Sequence, residues 1–478
     1  MTLQEFLKKE TLYSLIDGNE VAGLNQTAIE FISPTIESAW KNIVPVGTEE
    51  VKLAINTAQS TYSKWRKTPA PIRAKHLRKV ASLIVDNKEL LAEVMTMEMG
   101  KPIKESLAEI DYSAGFFTWF AGEAERIYGT TIPSQYPNKS LKVIHEPIGV
   151  CGIITPWNFP LAMPARKVAP ALAAGCTVVA KPSPESPISM LLLAKICEMA
   201  GIPSGAFNVV IGAEQEVGSV ILESQAVRKI SFTGSTKVGK YLYRESSNTM
   251  KKITMELGGH APLIIYDDAD IDIAIAGTIA SKFRNTGQTC VCANKILVQD
   301  SIYDLYCEKL MHAVKNLKIG DPRDPDTEIS KVLHPISTLK VQEHVEDALS
   351  KGAKALHMTE KPYEPKILTG ISPAMKIFRE ETFGPVAPII RFAEDDEGIT
   401  LANASEFGLA AYIFTTSMKR ANKSVSELEY GVIGVNDGVP STPQGSFGGM
   451  KNSGLGREGG PTGIYEYMTE KYVSIAFS

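Results

Sequence analysis

Gly287-Gln288-Thr289-Cys290-Val291-Cys292-Ala293-Asn294 sets a cysteine in a glycine-broken turn between a predicted helix and a predicted strand. A free thiol has a pKa near 8.5, so Cys290 needs help to act as a nucleophile; otherwise it packs as a small hydrophobe. Met255-Glu256-Leu257-Gly258-Gly259 supplies a lone carboxylate among apolar neighbours. An apolar pocket would raise its pKa toward neutrality and suit it to activating a thiol or a water. The competing role is a cap or a partner for a buried cation. The two glycines admit close approach to the backbone. In Thr155-Pro156-Trp157-Asn158-Phe159-Pro160 two prolines hold Asn158 at the carboxyl edge of a predicted strand, where α/β sheets bind ligands. Its amide either forms a turn or stabilises an oxyanion, an effect of about 10²–10³ in rate. Residues 230–239 read as a strand, a turn through Gly234 and Ser235, and a helix start. Backbone N–H groups there favour phosphate oxygens, although G-x-x-x-x-G is a weak dinucleotide signal by itself. Lys181 ends another predicted strand, within reach of a ribose hydroxyl or a phosphate.

These groups need a scaffold that brings strand ends together. Residues 49–129 show helical spacing, broken at Gly100-Lys101-Pro102. From residue 150 short β-rich runs (150–155, 177–180, 207–211 and 230–232) alternate with helical stretches (161–174, 190–199 and 216–224), which predicts a parallel sheet covered on both faces. A second α/β block follows, with strands at 263–266 and 295–298 and helices at 271–284 and 303–319. Residues 320–326 form a loop by composition, and residues 469–477 an exposed edge strand that calls for cover.

Lys and Arg number 50 against 54 Asp and Glu, a net charge of −4 over 478 residues. That excludes a basic nucleic-acid footprint and the charge excess of a disordered chain. The longest nearly apolar run, residues 168–180, is shorter than the roughly 20 residues of a membrane span. Lys8, Lys9 and Glu10 interrupt any secretory apolar segment. Six cysteines form no disulfide framework. A cytoplasmic enzyme of two or three domains is expected.

Taken together, the proline-flanked Asn158, Lys181-Pro182-Ser183, Phe232-Thr233-Gly234-Ser235, Glu256-Leu257-Gly258-Gly259, Gly287-Gln288-Thr289-Cys290 and Glu381-Thr382-Phe383-Gly384-Pro385 resemble, in order and over nearly the whole chain, the aldehyde dehydrogenase superfamily. The resemblance implies an α/β fold with a Rossmann-type cofactor domain (1–124 and 146–255), an α/β catalytic domain (256–465) and a small β arm (125–145 and 466–478) that joins copies into a homodimer or homotetramer. It implies that Cys290 attacks the aldehyde, that Asn158 and the Cys290 N–H hold the oxyanion, and that Glu256 activates the hydrolytic water. Lys181 and Ser183 would meet the adenosine ribose or its phosphate, Gly234 and Ser235 the pyrophosphate, and Glu381 the nicotinamide ribose. Phe383 and Trp157 would flank the nicotinamide.

Within the family, Arg166, Arg284 and Ser441 match the residues that hold the distal carboxylate in succinate-semialdehyde dehydrogenases. Two guanidiniums and a hydroxyl suit a carboxylate through charge-assisted bonds; the alternative is that each arginine pairs with an acid on its own helix. The expected reaction is oxidation of succinate semialdehyde, with glutarate semialdehyde or a broader aldehyde range as alternatives. Glu256 argues against transfer of the acyl group to a thiol, and the retained Cys290, Glu256 and Asn158 argue against a non-catalytic scaffold. Pro184 stands where relatives that use NAD often carry Glu, so the balance favours NADP over NAD. His260 is expected to make a local hydrogen bond, and Cys292 either packs or resolves an oxidised Cys290.

Overall fold

The computed structural model of the chain describes residues 2–24 and 26–477. Four helices, Thr48–Trp65, Ala70–Asp86, Lys88–Met99 and Ile103–Ala124, fill the region where helical spacing is read. Gly100 ends the third in the left-handed region (φ 79°) and Pro102 caps the fourth, so the Gly-Lys-Pro break falls where it is expected. Phe116, Phe117 and Phe120 of that fourth helix are fully buried in the largest core cluster, with Leu172 and Leu191.

The alternating segment builds five parallel strands, Val150–Ile154, Thr177–Lys181, Phe207–Val209, Val227–Thr233 and Lys252–Glu256. Numbered in chain order they lie 5-4-1-2-3 across the sheet. The direction of winding therefore reverses between Val150–Ile154 and Val227–Thr233, and a crevice opens at their carboxyl ends. Beyond Phe207–Val209 the sheet continues through Thr11–Ile16, Ser38–Val44 and Ile29–Ser33. At the other edge Gly454–Leu455 pairs antiparallel with Met255 and Glu256, so the glycine-rich C-terminal segment reaches back to the strand that carries the carboxylate.

A second sheet runs in the spatial order Lys354–His357, Lys366–Thr369, Val386–Phe392, Ala293–Gln299, Ala261–Ile265, Ala410–Phe414 and Val432–Val435, parallel except at its first pair. Its inner strands Ala293–Gln299, Ala261–Ile265 and Ala410–Phe414 are buried on both faces, which explains their largely apolar sequences. The helix Ile271–Lys282, capped by Asp270, ends two residues sooner than its spacing suggests. Asn285 (φ 51°), Thr286 (φ 55°) and Gly287 (φ 76°) then turn left-handed in succession, a strained path for non-glycine residues. At Gly287 a side-chain carbon would stand 2.4 Å from the Gly384 carbonyl oxygen.

Thr130–Ile132, Lys139–Pro147 and Met468–Ala476 form a separate three-stranded antiparallel sheet with Met468–Ala476 at one edge. Most of that edge strand is exposed. Among the described residues no helix is long and apolar enough to cross a membrane.

Candidate active site

The crevice of the first sheet continues into a cavity of about 560 Å³ lined by loops of both sheets. The turn after Val150–Ile154 contributes Trp157 and Asn158, the turn after Val227–Thr233 contributes Gly234 and Ser235, and the loop before Ala293–Gln299 contributes Cys290. Arg166, Arg284, Ser441, Glu381 and Phe383 line the same cavity. Ten of the thirteen residues singled out from sequence thus face one space; Glu256, Lys181 and Ser183 do not line it.

Cys290 is half-buried. Burial pushes its thiol up to about 12, against the pull of the Arg166 guanidinium, so the thiol is protonated at neutral pH. Asn158 is buried and its Nδ2 donates to the Gln288 carbonyl at 2.9 Å, which leaves the second amide proton for another acceptor. The Gly258-Gly259 pair permits close approach, as its sequence suggests. A side-chain carbon at Gly259 would stand 2.1 Å from the Cys290 carbonyl oxygen, and one at Gly258 3.0 Å from Glu381 Oε2. Gly259 N–H donates to Glu381 Oε1 at 3.1 Å, and burial raises the Glu381 carboxyl to about 7.

Glu256 is 1% exposed, and among the described residues neither carboxyl oxygen finds a hydrogen-bond partner. It is therefore not the cap its sequence also allowed. Burial, then the charge of Glu458, pushes its carboxyl well above the usual range. Glu458 drew no notice in the sequence, yet it organises this side of the site. It pairs with Arg166 Nε at 2.7 Å and with Lys167 Nζ. Burial would raise its carboxyl, but Lys167 and Arg166 overcome that and hold it ionised.

The pairing recasts Arg166. Its guanidinium is 2% exposed, bound to an acid far away in the chain rather than one on its helix, and 4.1 Å from the centroid of the Phe447 ring. No carboxylate oxygen among the described residues lies within 4.0 Å of Arg284, whose guanidinium stands 5.7 Å from the Phe159 centroid. Of the two arginines, Arg284 is the one that makes no ion pair among the described residues, although its charge, after that of Lys101, draws down the Glu105 carboxyl that burial raises.

At the outer end Trp157 stacks on His334, with ring centroids 4.5 Å apart, and meets Phe383 edge-on at 5.9 Å. Phe383 holds a left-handed φ of 54°. His334 had no sequence signal beyond its type. Ser235 caps the helix Thr236–Ser246 by accepting from Val238 N–H at 3.3 Å, and the Thr233 hydroxyl is buried without a partner among the described residues. A helix N-terminus beside an unsatisfied hydroxyl fits a dinucleotide phosphate. Lys181 Nζ lies 4.0 Å from Glu214, while the Ser183 hydroxyl donates to Glu185. Despite burial, bonds from His334 and Ser183 lower the Glu185 carboxyl to about 2.

His260 follows Gly259, and Cys292 lies two residues after Cys290. His260 Nε2 bonds the Phe378 carbonyl at 2.9 Å, and burial depresses the ring to about 3. Cys292 is fully buried, with Sγ 3.2 Å from Lys282 Nζ and 3.3 Å from the Lys282 carbonyl.

The chain as a whole resembles known proteins. The chain matches the aldehyde dehydrogenase family over residues 21–473. It is 48% identical to the mitochondrial succinate-semialdehyde dehydrogenase of Oryza sativa subsp. japonica, over 96% of this chain and 88% of that protein. It is 46% identical to the glutarate-semialdehyde dehydrogenase of Pseudomonas putida, over 96% and 97%. The crystal structure of succinate-semialdehyde dehydrogenase from Burkholderia pseudomallei superposes with a TM-score of 0.95 at 44% identity, covering 98% of each chain. With its α/β sheets, its cysteine loop at the sheet crevice and this likeness along the whole chain, the protein is an NAD(P)-dependent aldehyde dehydrogenase and belongs to the aldehyde dehydrogenase family.

Proposed function

We propose that the chain oxidises an ω-semialdehyde, succinate semialdehyde first and glutarate semialdehyde as the alternative, to the corresponding dicarboxylate. The observation that carries this reading is the unpaired Arg284 guanidinium facing the same cavity as Cys290, with the Ser441 hydroxyl and the Arg166 guanidinium lining it too. A half-buried guanidinium that makes no ion pair of its own has donors free for an incoming carboxylate. A short substrate with its carbonyl at Cys290 and its carboxylate at Arg284 satisfies both ends.

In this reading the Cys290 thiol loses its proton to water and adds as the thiolate to the carbonyl carbon, and the second Asn158 amide proton and the Cys290 N–H hold the oxyanion. Bound NAD(P) supplies the hydride acceptor. Collapse of the oxyanion leaves a thioester on Cys290, and Glu256 removes a proton from the water that hydrolyses it. Thr233, Gly234, Ser235 and Glu381 would hold the cofactor's phosphates and nicotinamide ribose, and Trp157 and Phe383 would wall the ring from water.

We test the carboxylate clamp with Arg284→Ala. Arg166→Ala is a poor probe, because it would leave the buried Glu458 with Lys167 as its one remaining ion-pair partner among the described residues. Arg284→Ala should lower kcat/KM on succinate semialdehyde about ten- to a hundredfold, as expected for losing a charge-assisted bond, and leave butanal within about threefold. Equal losses on both aldehydes would refute the clamp.

For the cofactor, the surroundings of Lys181 support NAD, whereas Pro184 favours NADP. Glu185, one step further on, folds back onto Ser183, and Glu214 stands beside Lys181. Two carboxylates at that spot oppose a 2′-phosphate and suit ribose hydroxyls. Glu185→Gln should therefore raise the ratio of kcat/KM for NADP to that for NAD by about tenfold; an unchanged ratio would remove Glu185 from the selection.

We further propose that the two large sheets divide cofactor binding from catalysis, and that the exposed strand Met468–Ala476 is covered by a second copy of the chain in a dimer or tetramer.

A further inference from the structure

Asn158 and Gln288 come from loops of different sheets, yet an oxyanion can meet the Asn158 amide only if these loops keep register to a fraction of an ångström. A closed set of hydrogen bonds joins them. Asn158 Nδ2 donates to the Gln288 carbonyl at 2.9 Å. Asn285 Nδ2 reaches that same carbonyl at 3.2 Å and the Asn158 carbonyl at 3.3 Å. The Asn158 carbonyl also accepts from Lys101 Nζ at 2.8 Å. Lys101 is buried, lies 3.9 Å from the Phe159 ring centroid, and pairs with Glu109. Glu109 Oε1 accepts from the N–H groups of Leu161 and Ala162, each at 3.0 Å. The turn is therefore gripped at Asn158 and again at the start of the following helix by one buried ion pair.

Neither Lys101 nor Asn285 lines the cavity, so neither touches the reacting atoms. Stability alone is a weak reason for the ion pair, because apolar residues of similar volume often serve a core as well or better. An apolar side chain could not hold a carbonyl oxygen, whereas an ammonium and an amide can. Asn285 is equally constrained: its left-handed backbone (φ 51°) is what aims its amide back at the turn, and its own N–H is held by Glu105 Oε2 at 2.7 Å.

We propose that Lys101 and Asn285 are positioning residues that lock the Asn158 side-chain amide onto the nucleophile loop, so that one Nδ2 proton bonds Gln288 and the other is presented to the oxyanion. The inference rests on Asn158 being the oxyanion donor, and the test separates the two claims. Asn285→Gly keeps a residue at ease in the left-handed region and deletes only the amide; Lys101→Met deletes the ammonium. Each is made alone and with Asn158→Ala, and the first-turnover rate of cofactor reduction is measured at saturating substrates.

Asn158→Ala alone should slow that step about 10²–10³-fold; a rate near wild type would refute the oxyanion reading and this inference with it. Given that loss, Asn285→Gly should slow the step about thirtyfold, with KM for aldehyde and cofactor within about threefold. It should cost less than about threefold more in the Asn158→Ala background, because a lock has no effect once the group it holds is gone. Losses that multiply, or an Asn285→Gly rate within about threefold of wild type, would overturn the proposal. Lys101→Met should behave in the same way; if it fails to fold by circular dichroism, the Asn285→Gly cycle alone decides.

Discussion

Cys290→Ala protein should reduce no measurable cofactor with any aldehyde, a loss of at least about 10⁴-fold in kcat, while still binding NAD(P) with near-normal affinity. Without the sulfur there is no oxyanion to drive hydride out, because a free aldehyde has no hydride to give until a nucleophile adds to it. The expectation is sharper than for an arbitrary cysteine because Cys290 lies in a cavity that Arg166, Arg284 and Asn158 also line. Its titration offers an independent check. With the thiol pushed up to about 12, only the thiolate reacts with iodoacetamide. The alkylation rate of the cofactor-free protein should therefore climb about tenfold per pH unit from pH 7 to 10 without levelling. A plateau below pH 9 would mean that the thiol is already activated in the free enzyme, and residual oxidation by the alanine variant would remove Cys290 from the chemistry.

Glu256→Gln should uncouple the two halves of the reaction. One equivalent of reduced cofactor per site should form at a rate within about fivefold of wild type, after which turnover should fall about 10²–10⁴-fold, the usual share of a general base. Gln keeps the shape of the side chain but cannot take a proton from water, so the Cys290 thioester would accumulate and be trapped by hydroxylamine. The pH dependence has a definite sign. Burial and Glu458 raise the Glu256 carboxyl, and a base works only when deprotonated. Steady-state kcat of the wild type should therefore fall as pH drops through that raised value, and the variant should lack this limb. Slow reduction without a burst would move Glu256 to the acylation half instead.

The geometry also explains why Glu256 is poised rather than engaged. Its carboxyl is close to where a side chain at Gly448 would stand, with Oε1 3.0 Å from that point, and it does not line the cavity. The space exists because Gly448 has no side chain and because Gly454–Leu455 is threaded alongside Met255 and Glu256. A substitution as small as Gly448→Ala therefore acts on the Glu256 carboxyl itself.

Much of this was legible in the amino-acid order. Local chemistry marks each functional turn: Gly258-Gly259 admits the Cys290 carbonyl, Gly287 follows a left-handed path, and the prolines around Asn158 pin it at a strand end. The alternation of apolar strands and helices announces the parallel sheets because strands buried on both faces cannot hide their composition. Pairings between residues far apart in the chain left no such mark. Glu458 and Arg166 are separated by 292 positions, Asn158 and Gln288 by 130, and nothing in either neighbourhood names its partner. The order of residues alone marked the turns that hold Cys290, Glu256 and Asn158 and set them at α/β strand ends. Which charges are neutralised and which stay open was settled in three dimensions: Glu458 occupies Arg166, Glu185 occupies Ser183, and Arg284 makes no ion pair among the described residues. Conformational preference acts between neighbours along the chain, whereas the interaction of two charges depends on their distance in space and on the water excluded from between them.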